Sequence, residues 1–414
     1  MNLFGLEISF ARKSADLSID EVIRRLEAIY QTASGISVTP ENCEEAPTVQ
    51  AIVNAITMHI ASLPVHVFRK TMSNGRTSKE LEPNHPVAKL LKHPNGWQTE
   101  TNYWLDATSW LVRYGRHFAF KGRGQTGPIR RLEPLHPGSV QLEQEDDLSV
   151  IAHVNLASGG MRDYALGELH YARGRASDGL NGDSPVMRAR EAIALEIAAQ
   201  KFGAQFFGNG AMPGLVFKYA QGMKDMDPEQ SRKFIENFRE QYGAKTGRLR
   251  AMLMPSGIEM GDPVKIENDK AQFIEARKAQ RTIIAGVFGV PPHLVGDLEN
   301  GTLNNVEQQS RDFHQKVIRP YVTIFESAME RDLLTDEDRR GGIIIRFNMD
   351  AHLRGSFKEQ QEGLKIQREG GALSANEWRE MVNMNPMKPE DGGDTYWQQG
   401  PSGQSGKPRE GATP

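Results

Sequence analysis

Cysteine, long apolar runs and an excess of one charge sign are all scarce in this chain. Cys43 is the single cysteine in 414 residues. One cysteine excludes an internal disulfide framework and any multi-cysteine metal site, and a reducing cytoplasm is the simplest expected compartment. No run of about 18 apolar residues occurs, so no membrane span is expected. The start, MNLFGLEISFARKSAD, has no continuous apolar region and no small-residue cleavage site, so no signal peptide is expected. The formal net charge is −3. A protein that grips duplex DNA through many phosphates usually carries a basic face, so this balance argues against tight general nucleic-acid binding. A local basic stripe remains compatible with it.

Catalytic signatures are equally scarce. There is no H-E-x-x-H and no G-x-S-x-G. Of eleven histidines, His85, His93, His136 and His293 lie beside prolines in loop-like sequence, where a structural or solvated role is the commoner one. Cys43 sits among Glu41, Glu44 and Glu45, acids expected to raise its pKa. Gly122-Arg123-Gly124-Gln125-Thr126-Gly127 matches G-x-G-x-x-G, but Ile129–Leu135 continues as a strand. A nucleotide phosphate needs a helix N-terminus at that point, so a hairpin loop is expected instead. Lys245-Thr246 lacks the preceding glycine and the helix of a phosphate loop. No catalytic residue, cofactor or metal site is expected.

The positive signals are elements and their order. Residues 1–36 read as a flexible segment with one amphipathic candidate at Ile19–Ile29. Pro47 opens a helix carrying Val49, Ile52, Val53, Ile56 and Ile60, and Val65–Arg69 follows as a strand. Thr99 caps a helix weighted by Tyr103, Trp104, Trp110 and Tyr114. From Arg116 to Arg173 the period shifts to two. Strands are expected at His117–Lys121, Ile129–Leu135, Ser139–Glu143, Val150–Leu156 and Tyr164–Tyr171, which makes the class α+β. Ser184-Pro185 starts a helix running to about Phe207. An insert at 213–266 then carries strands at Leu215–Tyr219 and Leu249–Met254 around a helix begun by Asp227-Pro228. Ser374 and Glu377 make a capping box. From Asn385 the Pro-, Gly- and Ser-rich composition predicts a disordered tail.

The chain is organised around Ala271–Leu334. Phe273, Ile274, Ala276, Ile283, Ile284, Val287 and Phe288 recur near the helical period. Further on, Phe313, Val317, Tyr321, Phe325, Met329 and Leu333 fall four apart along one face. A helix over Val306–Leu334 would be about 43 Å long at about 1.5 Å per residue. Pro320 lies inside it, which predicts a kink. Between the two patterns, Gly289–Asn305 contains Asp297 and Glu299 but no Lys or Arg. A loop longer than about 12–15 residues in a compact domain is usually functional or disordered.

Several blocks together resemble the portal proteins of tailed bacteriophages, in the HK-ninety-seven-type family. They are VQAIVNAITMHIASLPVHVFRK; LHYARGRASDGLNGDSPVMRAREAIALEIAAQKFGAQFFGNGAMPGLVF; LMPSGIEM with AQFIEARKAQRTIIAGVFGVPPHLVGD; and NNVEQQSRDFHQKVIRPYVTIFESAMERDLL. They cover most of 37–335 in family order. The resemblance implies a portal fold with an α/β wing at 37–183, a stem helix at 184–212 and a small α/β clip insert at 213–266. A second stem helix at 267–288, a tunnel loop at 289–305, and a long kinked helix with a returning wing strand at 306–349 follow. Short crown helices at 350–385 and the tail at 386–414 complete it. The pattern departs at Thr302-Leu303-Asn304-Asn305, where the family approach to the Asn-Glu pair is often more polar.

The resemblance also implies function: a ring of about twelve subunits at one capsid vertex, through which double-stranded DNA passes without sequence readout. Implied partners are the terminase large subunit, the major capsid protein and a head-tail connector. The implied location is the virion, with assembly in the host cytoplasm. Carried onto this chain, the channel side of the loop takes Val290, His293 and Leu294 before the acids Asp297 and Glu299, and Asn300, Thr302 and Asn304 after them. Arg277, Lys278 and Arg281 are stem candidates, Lys245, Arg248 and Arg250 motor-docking candidates on the clip, and Pro320 the helix kink. Two other readings are a nucleic-acid-processing enzyme and a non-portal scaffold or adaptor. Deleting 290–303 is expected to leave rings intact while DNA packaging or retention fails, as read by a packaging assay.

Overall fold

The computed structural model describes residues 32–73, 76–123, 127–208, 217–219, 227–242, 258–260, 269–297, 303–349, 357–382 and 384–396. Two compact units divide the chain: Met1–Ser62 with His66–Arg346, and Leu63–Val65 with Phe347–Pro414. The expected helix at Ile19–Ile29 lies outside the described residues.

In the larger unit, helix α1 (Pro47–Ala61) begins at the proline and buries Val49, Ile52, Val53, Ile56 and Ile60. That is the one-face spacing its sequence carries. Strands β1 (Val65–Ser73) and β2 (Arg76–Leu81) pair antiparallel. Helix α2 (Pro86–Lys92) precedes α3 (Glu100–Tyr114). The Thr99 hydroxyl accepts from the Asn102 N–H at 3.2 Å at the start of α3. Gly115 closes α3 at φ 74°. A Cβ on Gly115 would lie 2.1 Å from the Asp183 carbonyl oxygen, and one on Gly182 would lie 2.0 Å from that of Gly115. Only glycines let these two backbones cross.

Strands β3 (Arg116–Arg123), β4 (Ile129–Leu135), β5 (Val140–Gln144), β6 (Val150–Asn155), β7 (Met161–Ala165) and β8 (Leu169–Arg173) follow. They form two antiparallel sheets of order β4-β3-β8 and β5-β6-β7. The register across β3 and β4 is that of a hairpin, with Arg123 opposite Ile129. No helix follows the glycine motif there. The strand expected over Tyr164–Tyr171 is two strands in different sheets. A tight turn at Leu166–Glu168 separates them, fixed by the Ala165 N–H donating to Glu168 Oε2 at 3.0 Å. Phe118 stacks on Tyr171 directly across the ladder at 4.6 Å and faces Val140, Leu142, Ala152 and Val154 of the second sheet. The alternate residues of β3 and β8, His117, Ala119, Lys121, His170 and Ala172, are buried beneath the helices. Both faces of these strands are therefore covered.

A single helical turn (Pro185–Arg188), capped by Ser184, leads into α4 (Arg190–Gly208). In the insert, β9 (Phe217–Tyr219) precedes α5 (Pro228–Tyr242), and β9 pairs antiparallel with β10 (Ile258–Met260). The strand expected at Leu249–Met254 lies outside the described residues. Helix α6 (Asp269–Phe288) packs along α4, where Gln280 Nε2 donates to the Ala192 carbonyl at 2.7 Å. Then come α7 (Leu303–Phe313), a π-helical stretch (His314–Ile318), α8 (Arg319–Leu333), the short α9 (Asp336–Arg340) and β11 (Ile343–Phe347). Strand β11 completes a sheet of order β11-β1-β2.

The smaller unit contains α10 (Phe357–Glu369) and α11 (Ala375–Met381). The capping box is present: the Glu377 N–H donates to Ser374 Oγ and the Ser374 N–H to Glu377 Oε2. Trp378 Nε1 donates to Gln361 Oε1 at 3.2 Å, joining the two helices. The disorder expected from 386 does not begin there. The Asn376 amide pairs with both backbone groups of Met387, at 2.6 and 3.1 Å, and Ser374 bridges Tyr396. One side-chain amide thus supplies the partners that the composition of 384–396 lacks. Residues 397–414 lie outside the described residues.

Phe325 is fully buried, 5.2 Å from Trp104 and 6.2 Å from His117. Phe325→Ala should cost about 3–5 kcal/mol, measured as a fall in the urea midpoint at unchanged slope.

Candidate functional site

Helix α6 ends in a Schellman motif. The Gly289 N–H donates to the Gly286 carbonyl at 3.1 Å and the Val290 N–H to the Ala285 carbonyl at 2.9 Å. Gly289 has φ +71°, and its position lies against Val317 of the π-helical stretch. Val290 is the apolar residue that such a motif tucks inward, at 2% exposure. A short turn (Pro292–Val295) follows, ended by Gly296 at φ 84°. Two bonds tie this turn to both neighbouring helices. His293 Nδ1 donates to Gln309 Oε1 of α7 at 2.9 Å, and Arg281 Nη1 of α6 donates to the Gly296 carbonyl at 3.4 Å.

The sequence predicts one loop over Gly289–Asn305. Its first part, 289–297, is a folded strap. Val290 and Val295 are packed inside the subunit and anchor the strap. His293 and Leu294 are half-buried, as is Asp297. Glu299, Asn300 and Thr302 lie outside the described residues. Asn304 belongs to the first turn of α7, which begins at Leu303. Deleting 290–303 would therefore remove core residues, and a deletion confined to 298–302 is the cleaner test of packaging.

The chain stays helical from α7 through α8, and the proline effect takes a specific form. The Arg319 N–H reaches back five residues to the His314 carbonyl. Pro320 sits in the first turn of α8. In an α-helix its ring would press on the carbonyl of Lys316; widening the preceding turn to π geometry relieves that clash. The four-residue stripe survives the change: Phe313, Val317, Phe325, Met329 and Leu333 are all buried. His59 of α1 meets Phe313 and His314 edge-on at 5.2 and 5.5 Å. On the outer side, Lys316 bonds Asp312 at 2.7 Å and holds that exposed carboxyl below its ordinary pKa.

The far end of α8 is fixed to strands β8 and β3 through Asp332. Its Oδ2 accepts from the Tyr171 N–H at 2.9 Å and lies 3.1 Å from His170 Nδ1. Arg331 Nε bonds Oδ1 at 2.7 Å, and Lys121 Nζ donates to the Asp332 carbonyl at 3.1 Å. Burial pushes the Asp332 carboxyl upward. The bonds from Arg331 and His170 and the Tyr171 N–H outweigh it and hold the group well below the usual carboxylate range. Sequence spacing carries no signal for this junction, whose partners lie 161 and 162 residues apart. Cys43 is buried and its thiol is pushed up to about 12; burial is the main cause, and Glu44 and Glu41 add to it.

Among the stem candidates, Arg277 and Lys278 are exposed and Arg281 is half-buried. Helices α4 and α6 also leave apolar side chains exposed, an exposure that the spacing in the sequence does not single out. Leu195 on α4 is 52% exposed, and Ile283 and Val287 on α6, one turn apart, are 54% and 53% exposed. Lys245, Arg248 and Arg250 lie outside the described residues. Among the described residues, no group of three or more His, Cys, Asp or Glu side chains is placed to hold a metal ion, and no helix is long and apolar enough to cross a membrane.

A family model described as "Phage portal protein" matches residues 47–383, and the chain belongs to that family. It is 28% identical over 366 residues to the portal protein of Enterobacteria phage HK97, covering 88% of this chain and 84% of that one. It is 29% identical over 379 residues to a probable portal protein of Streptomyces phage phiC31, covering 88% and 80%. The fold is similar to a crystal structure of an HK97-family phage portal protein from Corynebacterium diphtheriae, with TM-score 0.56 at 14% identity over 77% of this chain and 98% of that one. It is also similar to a chain in the neck of a native gene transfer agent particle computed with C12 symmetry, with TM-score 0.56 at 20% identity over 88% and 100%. The mixed helix-and-sheet fold expected from the sequence is the one these structures share.

Gly289→Ala should lose about 1–2 kcal/mol, because alanine resists the left-handed conformation and its methyl would meet Val317 Cγ2 at 3.1 Å. Chemical denaturation of the variant against wild type measures the loss.

Proposed function

We propose that this protein is one subunit of a ring-shaped channel at a capsid vertex, through which double-stranded DNA enters and leaves the particle. Membership of the portal family carries the reading, and the twelvefold neck named for a structural relative supports it. The ring has about twelve copies, joined by a heterologous contact that closes on itself. Leu195, Ile283 and Val287 fit such a contact, since they leave apolar area exposed on α4 and α6. The subunit works as a conduit and performs no chemistry of its own. A terminase large subunit supplies the motor, docking on the insert around Lys245, Arg248 and Arg250. The major capsid protein and a head-tail connector complete its surroundings. The ring belongs to the virion after assembly in the host cytoplasm.

A channel for DNA of any sequence works best without deep electrostatic wells, because strong phosphate contacts hold the duplex. The near-neutral chain and the Asp297–Glu299 segment, with no Lys or Arg between 289 and 305, suit that requirement. The strap at 289–297 ties the start of this segment, as far as Asp297, to α6 and α7.

Negative-stain microscopy and sedimentation of the purified protein test the reading. Rings with a central hole are expected, and monomers at every salt and protein concentration would overturn it. Ile283→Glu with Val287→Glu should abolish rings while the circular dichroism and melting of the subunit persist. Rings unchanged in that variant would remove the stem face from the contact.

A further inference from the structure

The helix-facing side of β3 and β8 buries two histidines that the channel reading leaves without a task. His117 and His170 are fully buried, with ring centroids 5.8 Å apart. Each ring has one nitrogen engaged and one without a hydrogen-bond partner. His117 Nε2 lies 3.2 Å from the Tyr103 hydroxyl of α3, and His170 Nδ1 lies 3.1 Å from Asp332 Oδ2 of α8. His117 Nδ1 and His170 Nε2 bond to nothing. The walls are aromatic: Trp110 stacks on His117 at 5.8 Å, and Phe325 of α8 closes the other side.

We infer that the His117–His170 pair is an acid-sensitive latch that holds the C-terminal end of the long helix to strands β8 and β3. Charged and titratable groups approach from each packed element. Helix α3 supplies Tyr103, β3 supplies Lys121, β8 supplies His170, and α8 supplies Asp332 and Arg331. Arg123 and Glu168 act on Lys121 from the strand ends, and His136 touches the far side of Trp110. Of the two rings, only His170 faces a carboxylate. A proton on His117 Nδ1 puts a cation between aromatic rings and beside a second imidazole. Swinging α8 away from β8 lets water reach that charge, so protonation and release are coupled.

Burial, and then the neighbouring His170, holds His117 well below the ordinary imidazole pKa. The unfolded chain therefore takes up this proton first, once the pH falls below about 6.5. Stability present above that value is lost on acidification. Asp332 acts in the same direction, but only below about 3.9, where a free carboxylate titrates. His136 is also held low, mainly by burial, and shares the upper window. His153 on the outer sheet has the opposite sign. Its bond to Asp163 at 2.7 Å raises its pKa, so it adds stability as the pH falls.

Amide hydrogen exchange on the full-length protein between pH 7.5 and 4, corrected for intrinsic rates, tests the latch. Protection of 169–173 and 325–333 should fall by about tenfold below about pH 5.5 while 140–155 stays protected. In His117→Phe the loss should move down by about one pH unit, whereas His136→Gln and His153→Gln should leave it in place. An unchanged midpoint in His117→Phe, or simultaneous loss over all segments, would overturn the proposal. Should that variant not fold, exchange at the wild-type His117 ring decides: a titration near the ordinary imidazole value would also overturn it.

Discussion

Covering strands β3 and β8 on both faces is the constraint on which the larger unit depends. One face meets the second sheet through Phe118, Leu169 and Tyr171, which need only apolar partners. The other meets helices and contains His117, Lys121 and His170, whose polar atoms need specific partners in a dry layer. Asp332 answers that need for His170 Nδ1 and Lys121, since its carboxylate and carbonyl together engage β8, β3 and its own neighbour Arg331. The position of α8 follows from this. So does the path of the helix upstream, because the buried stripe from Phe313 to Leu333 runs along one face.

Much of this architecture was legible where the cause is local. Pro47 and Pro185 stand at helix starts, the Thr99 and Ser184 hydroxyls accept the N–H groups expected of caps, and Ser374 with Glu377 closes its box. The four-residue stripe was readable because helical geometry alone produces it. Features set by distant contacts were not. Nothing near Tyr164 or Tyr171 announces that their strands part into different sheets. Nothing near Met387 announces that Asn376 will hold its backbone.

The candidate site divides along the same line. Its family blocks and the acidic character of its loop were evident from the residues. The strap at 289–297 was not, because the Gly289 motif looks like an ordinary helix end until Val290 is seen packed inside and His293 is seen bonded to Gln309. The sequence predicts a kink at Pro320, and the structure has a π-helical turn before it, a form that depends on packing. Val317 and Ile318 are held in the core, so the backbone widens by one residue instead of leaving the helix.

The crossing of Gly115 and Gly182 fixes the angle at which α4 leaves α3. Two backbones meet there with no side chain between them, and the Ser184 hydroxyl donates to the Arg113 carbonyl beside it. The root of α4 is therefore seated on the end of α3. A tilt of about 10° at that root would carry the far end of α4, about 28 Å away at about 1.5 Å per residue, sideways by about 5 Å.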